Sequence, residues 1–268
     1  MKITILVDNY VTTLSSLRDK LLSEWGFSAY IHDYKILYDT GLSGDALINN
    51  MKALKIDVKE PEYVVLSHRH LDHTGGLIKF LEMRNKPIKI IAHKNLFAPA
   101  KAKDEKGEIN AGVNFTKEDL EKRGAELILI DSPYKLKENL YVSGYIPRNW
   151  GPSHAGGLLD EIPDDMALYI VDKDGLLILT GCGHAGVENI VEYGFKVTNT
   201  NKLKGIIGGL HFMGFDEKRV NNIVSYLNSK SPKVVSGTHC TGIDGISLLR
   251  KGLPYAFKEA GVGKEIII

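Results

Sequence analysis

Between Leu66 and Gly76 the chain reads LSHRHLDHTGG, which puts His68, His70, Asp72 and His73 within six positions, directly after the apolar run Tyr63-Val64-Val65-Leu66. His68 and His70 are two apart and face the same way on an extended strand end, while Asp72 and His73 lie where a turn brings them round to the same space. Imidazole nitrogens and a carboxylate at that density suit Zn2+, with Mn2+ or Fe2+ as alternatives. One such loop can supply two neighbouring cation positions. The whole chain holds nine histidines in 268 residues, so three of them with an aspartate in one short loop is a poor match to a chance surface turn. Three more stand in comparable places, each just past an apolar run: His184 in LTGCGHAG, His211 in GGLHFMG and His239 in SGTHCTG.

Strands must hold these loops, and short β-branched runs that end in Gly, Asp or His recur at 3–7, 27–33, 35–39, 63–67, 88–92, 126–130, 140–144, 167–171, 176–180, 205–209 and 233–237. Asp33-Tyr34 and Lys173-Asp174-Gly175 read as tight turns of antiparallel hairpins, so the sheets are expected to be mixed. Helical patterns lie between strands at 44–54, 76–83, 116–123, 186–193, 216–229 and 245–258, with an N-cap signature at Thr116. The stretch 94–165 is rich in Lys, Gly, Pro and Asn around two strand candidates and reads as a lid-like insertion in a single domain spanning 1–268.

The composition, 43% hydrophobic and 25% charged, is that of an ordinary globular chain. Thirty-four basic against 33 acidic residues leave a formal charge of +1, so no global field holds the chain on nucleic acid or an anionic membrane. The N-terminal apolar run Ile3 to Val7 is too short for a signal h-region or a membrane span. The two cysteines, Cys182 and Cys240, each sit in a Gly-rich context beside a histidine, which speaks against a disulfide framework. A cytoplasmic location is expected, with a small-molecule substrate and no nucleic-acid or membrane partner; a homo-oligomer is compatible with the sequence.

The run His68-x-His70-x-Asp72-His73 resembles the HxHxDH signature of the metallo-β-lactamase superfamily, and KILYDTG with Asp39 is similar to the hairpin that precedes it there. The resemblance covers the whole chain and implies an α/β (α+β) fold, a four-layer αββα sandwich with metals at one edge of the two sheets. TGCGHAG, GGLHFMG and THCTG together resemble the group that includes archaeal dihydropterin ribofuranosylaminobenzene phosphate synthase and many metal-dependent hydrolases. The resemblance implies two divalent metal ions, most simply Zn2+, one held by His68, His70 and His184 and the other by Asp72, His73 and His239. Asp39 would stand behind a ligand histidine and orient its second ring nitrogen.

One departure stands out. Most members carry Gly-Asp after the strand that here ends LLILT, and that carboxylate bridges the metals; this chain has Gly181-Cys182. Either Cys182 ligates as a thiolate or His184 takes over while water bridges. His154 in GPSHAGG lies where other members carry a ligand and is read as a metal or substrate contact. His211 is read as a metal or substrate contact, reaching the site from behind the ligands or facing the substrate, or as a hydrogen-bonded strand-end histidine. Arg148 would pair an anion and Trp150 stack a ring, although a surface Arg and a core Trp explain the same residues.

Two cations about 3.5 to 4 Å apart lower the pKa of a bound water towards about 7 and stabilise charge on the attacked and leaving oxygens. Asp72 would orient that water or move its proton. The implied activity is a dinuclear hydrolase of ester or phosphoester substrates, with a pterin-type transferase releasing pyrophosphate as the alternative. A redox diiron enzyme is disfavoured by His70, where such members carry glutamate. A binding protein without metals is disfavoured by the full set of ligand types.

Overall fold

Most of the apolar runs lack a clean alternation of apolar and polar residues, and the structure gives the reason: the strands they form are buried on both faces. The structure is a computed structural model that describes residues 1–14, 16–153 and 162–268. Two compact units are present, one of Met1–Ile130 with Ala260–Ile268 and the other of residues between Asp131 and Glu259.

The first unit runs β1 (Lys2–Val7), α1 (Ser16–Asp19), β2 (Ser28–Ile31), β3 (Ile36–Tyr38), α2 (Asp45–Ala53), β4 (Tyr63–Val65), α3 (Leu71–Thr74), α4 (Leu77–Arg84), β5 (Ile88–His93), β6 (Lys101–Asp104), β7 (Gly107–Asn110), α5 (Lys117–Glu121) and β8 (Ala125–Ile130). The second runs β9 (Tyr134–Lys137), β10 (Leu140–Val142), β11 (Ala167–Asp172), β12 (Gly175–Thr180), α6 (Val187–Thr198), β13 (Leu203–Gly209), α7 (Glu217–Ser229), β14 (Val234–Thr238) and α8 (Gly242–Gly252). The chain then returns to the first unit, where β15 (Glu265–Ile267) pairs with β1.

The first sheet has the order β15-β1-β2-β3-β4-β5-β8, antiparallel up to β3 and parallel from β3 to β8. The second has the order β14-β13-β12-β11-β10-β9, parallel from β12 to β14 and antiparallel elsewhere. Both sheets are mixed, as the two hairpin turns require. At the first, Lys35 takes a left-handed φ of 52° after the short 3-10 turn His32–Tyr34. At the second, Asp172 pairs with Gly175 and its Oδ1 accepts the Asp174 N–H at 2.8 Å.

Each sheet buries one face under helices. In the first unit Leu6, Tyr30, Leu37, Val64 and Ile90 pack with Leu47, Met51, Leu77 and Phe80. In the second, Tyr169, Leu176, Ile178, Ile206 and Val235 pack with Ile190, Val191, Val220 and Leu249. A buried Leu or Ile contributes about 1.5–3 kcal/mol through removal from water, so these layers fix the strand ends that carry the chemistry. Caps set the helix starts: Thr116 and Asp119 form a reciprocal capping box, and Asp216 accepts the Arg219 N–H at 2.7 Å.

The last expected helix, 245–258, stops at Gly252 because Pro254 cannot continue it. The helix expected at 186–193 instead runs on to Thr198 and ends at Asn199 in the left-handed region. Within 94–165 the described residues form β6 to β10 and α5, and residues 154–161 lie outside the described residues. Among the described residues no helix is long and apolar enough to cross a membrane.

Candidate metal-ligand clusters

β4 runs parallel to both of its neighbours, β3 and β5, and the chain leaves the sheet where the Leu66 N–H donates to Ile91 O at 2.9 Å. His68 and His70 follow, 2% and 5% exposed. α3 begins at once, and His73 N–H and the Thr74 hydroxyl both donate to His70 O, at 3.0 Å each. That single turn brings His73 back onto the strand end. The ring centroids of His68 and His70 are 4.4 Å apart and those of His68 and His73 are 4.2 Å apart. The carboxylate of Asp72 reaches His73 Nε2 at 3.8 Å. Gly75 is required just beyond, because a Cβ there would stand 2.0 Å from Leu42 O.

The β3–β4 register, which pairs Tyr38 with Val65, delivers Asp39 to this loop. Asp39 Oδ1 accepts the Ser67 N–H at 2.7 Å, and Oδ2 accepts the Ser67 hydroxyl at 2.7 Å and lies 2.8 Å from His73 Nδ1. A carboxylate only accepts, so His73 carries a proton on Nδ1, and in the neutral ring Nε2 is then the basic nitrogen. The single Ser67 proton is committed to Asp39, so at the 2.8 Å contact with His68 Nδ1 the serine oxygen accepts. His68 therefore also holds its proton on Nδ1 and presents Nε2 as a base. One buried carboxylate thus sets two tautomers, one directly and one through Ser67. Thr40 adds to the support: its N–H and hydroxyl both donate to His73 O, at 2.8 and 3.0 Å. Ser67 and Thr40 were not singled out from the sequence, where the one available signal for Ser67 is its adjacency to His68.

In the second unit β12, β13 and β14 are parallel, and the register Thr180 to Gly208 and Gly209 to Thr238 aligns their C-terminal ends. Cys182, His184, His211 and His239 therefore emerge along one sheet edge, where parallel α/β sheets commonly bind ligands. The rings of His184 and His211 lie 4.4 Å apart, so His211 sits against a candidate ligand. Cys182 Sγ is within 4.8 Å of a ring nitrogen of His184 and of one of His239. All four side chains are buried. His211 and His239 both adopt a left-handed φ, 49° and 48°, an uncommon state for non-glycine residues that turns each ring out of its strand line. Gly209 allows the close crossing of these loops, since a Cβ there would stand 2.2 Å from Gly181 O and 2.7 Å from Cys240 Sγ.

Arg148 donates to the backbone carbonyls of Ile146 and Ile162 and lies over the Tyr145 ring at 5.7 Å. Trp150 is 42% exposed and is not a core residue; its backbone N–H donates to Asn189 Oδ1 at 2.7 Å. His154 lies outside the described residues. His32 bonds Thr4 Oγ1 at 2.8 Å in the first hairpin.

The donor chemistry fits divalent cations in both units. Buried imidazoles in mutual contact would repel one another if protonated, whereas neutral rings with lone pairs on Nε2 are the form that ligates a cation. Histidine with carboxylate in one unit and histidine with sulfur in the other are donor sets that zinc-class ions accept.

Comparison with known proteins agrees with this chemistry. The Metallo-beta-lactamase superfamily profile matches residues 28–134. The chain is 32% identical, over 87% of its length and 84% of the relative's, to 7,8-dihydropterin-6-methyl-4-(beta-D-ribofuranosyl)-aminobenzene-5'-phosphate synthase of Methanocaldococcus jannaschii. It is 34% identical to an uncharacterised protein of the same organism, over 97% of this chain and 98% of the other. The crystal structure of Tm1679, described as a metal-dependent hydrolase of the beta-lactamase superfamily, superposes with a TM-score of 0.84 at 24% identity, covering 100% of this chain and 99% of that one. The fold is the one these proteins share.

Proposed function

The chain belongs to the metallo-β-lactamase superfamily, and on that premise we propose that it is a dinuclear metal-dependent hydrolase acting on an ester or phosphoester of a small molecule. The observation that carries the reading is the Asp39 network, which leaves His68 and His73 with Nε2 lone pairs at one strand end. In this reading His68, His70 and His184 hold one ion and Asp72, His73 and His239 the other, with Zn2+ as the resident metal. When bound, the ions supply Lewis acidity that lowers the pKa of water to about 7 and stabilises negative charge developing on oxygen. Asp72, whose side chain is 18% exposed, orients the attacking water and takes up its proton. Ser67 and Asp39 hold the imidazoles in the basic tautomer throughout.

A second reading, a transferase that releases pyrophosphate from a pterin diphosphate, is favoured by the identity to the Methanocaldococcus synthase over most of both chains. One experiment separates the two. Zinc- or manganese-loaded protein is given hydroxymethyl-dihydropterin diphosphate with and without an aminobenzene ribosyl phosphate, and in parallel a set of chromogenic esters and phosphodiesters. Ester or phosphodiester turnover that His68→Ala abolishes supports the hydrolase. Pyrophosphate release that needs the second substrate supports the transferase and overturns the hydrolase. Neither activity, with metal bound, overturns both.

A further inference from the structure

We propose that Cys182 is a metal ligand, bound as a thiolate and shared by the two cation positions; this rests on the dinuclear reading above. In that reading His184 and His239 serve different ions, and their loops leave β12 and β14, which are separated in the sheet by β13. Cys182 Sγ is within 4.8 Å of a ring nitrogen of each. Nitrogen and sulfur bound to one tetrahedral zinc, at bond lengths of about 2.0–2.1 and 2.3 Å, stand about 3.5 Å apart, so small rotamer adjustments bring the sulfur into both coordination spheres.

The loop that carries Cys182 is held in place. Gly183 turns it at a φ of 72°, Gly209 N–H donates to Gly181 O at 3.0 Å, and the Cys240 thiol donates to Cys182 O at 3.4 Å. A Cβ on Gly209 would come within 3.0 Å of Cys182 Cα, so the neighbouring strand end is kept bare to admit this loop. Neither cysteine is in a disulfide. Cys240 thus braces the backbone of Cys182, whose sulfur lies beside the ring nitrogens of His184 and His239.

Binding forms two metal–sulfur bonds and releases the thiol proton to solvent, so the sulfur carries one negative charge at the centre. A soft thiolate favours zinc-class ions over manganese, which strengthens the preference that the imidazole ligands already impose.

The test is X-ray absorption on the zinc-loaded protein with metal counted on the same sample, together with the optical spectrum of the cobalt-loaded form. Expected are about one sulfur per zinc at about 2.3 Å, a sulfur-to-cobalt charge-transfer band in the near ultraviolet, and loss of both in Cys182→Ser with retention in Cys240→Ser. About half a sulfur per zinc overturns the shared position. Two ions bound with no sulfur shell overturns Cys182 as a ligand and leaves the dinuclear reading standing. Failure of the wild-type chain to bind metal overturns the dinuclear reading, and this inference with it. A sulfur signal that survives Cys182→Ser and vanishes in Cys240→Ser overturns the assignment in favour of the other cysteine.

Discussion

Asp39→Asn reverses the proton traffic at the HxHxDH loop while leaving its shape almost unchanged. Asparagine tolerates the left-handed φ of 56° at this position, so the backbone has no new strain. Its amide oxygen can still accept the Ser67 N–H, now bonded at 2.7 Å, but an NH2 group replaces Oδ2. That group donates to Ser67 and to His73 Nδ1, where the carboxylate accepted from both at 2.7 and 2.8 Å. His73 then moves its proton to Nε2. Ser67, now accepting from the amide, donates to His68 Nδ1, and His68 follows. Both rings lose the lone pair that would bind a cation.

Each polar position keeps a partner, so the stability cost is the difference between charge-assisted and neutral hydrogen bonds, about 1–2 kcal/mol. Changes to groups behind metal-ligating histidines typically cost about 10–100-fold in affinity, which is about 1.4–2.7 kcal/mol. The expected pattern is therefore a large loss of zinc affinity with a small loss of apo-protein stability. Competition with a chromophoric chelator and urea unfolding of the stripped protein measure the two, and imidazole nitrogen NMR reads the tautomers directly. Zinc affinity within twofold of wild type, or His68 and His73 still protonated on Nδ1, would refute the reasoning.

Ser67→Ala removes the hydroxyl's bonds to Asp39 and His68 and, of the two tautomers, should release only that of His68, lowering zinc affinity about tenfold and stability by about 1 kcal/mol, with the His73 tautomer unchanged by NMR. Gly75→Ala drives a Cβ to 2.0 Å from Leu42 O and should cost at least about 1–3 kcal/mol, seen as a lower urea midpoint for the apo protein. Arg219 grips Glu188 through two bonds of 2.7 and 2.9 Å in a mostly buried setting, so Arg219→Leu should destabilise by about 2–3 kcal/mol and adding Glu188→Leu should recover much of it. At Glu192, burial pushes the carboxyl up, but hydrogen bonds from Lys230 and Tyr226 outweigh it and the net shift is downward. Its contribution is present above the unfolded carboxyl pKa of about 4.3 and lost as pH falls through the lower folded value, so Lys230→Met should flatten the acid limb of the urea midpoint against pH.

The positions that announce themselves in the sequence are those whose chemistry is local. His68, His70, Asp72 and His73 share one loop, and the strand that feeds them is a β-branched run, so both the cluster and its setting could be read directly. His184, His211 and His239 were legible for the same reason, each standing just past a strand. Ser67 was not, because its role depends on Asp39, 28 residues away and reached only through the β3–β4 register. Cys182 left two alternatives open, since its distances to His184 and His239 depend on how three parallel strands align. The β6–β7 hairpin is largely exposed and carries no alternating apolar signal, and β9 and β15 are four and three residues long, so none of them was read in advance. The final helix is shorter than its apolar pattern, which continues past Pro254, because the proline ends it.

The central proposal is that the chain holds two metal ions, one through His68, His70 and His184 and the other through Asp72, His73 and His239. It is tested most directly by stripping the protein with a chelator, reloading it with zinc and counting bound metal per chain in wild type, His68→Ala and His239→Ala. The account predicts two zinc ions per wild-type chain and a reduced count in each variant. Less than one ion per wild-type chain, or two ions in both variants, would contradict it.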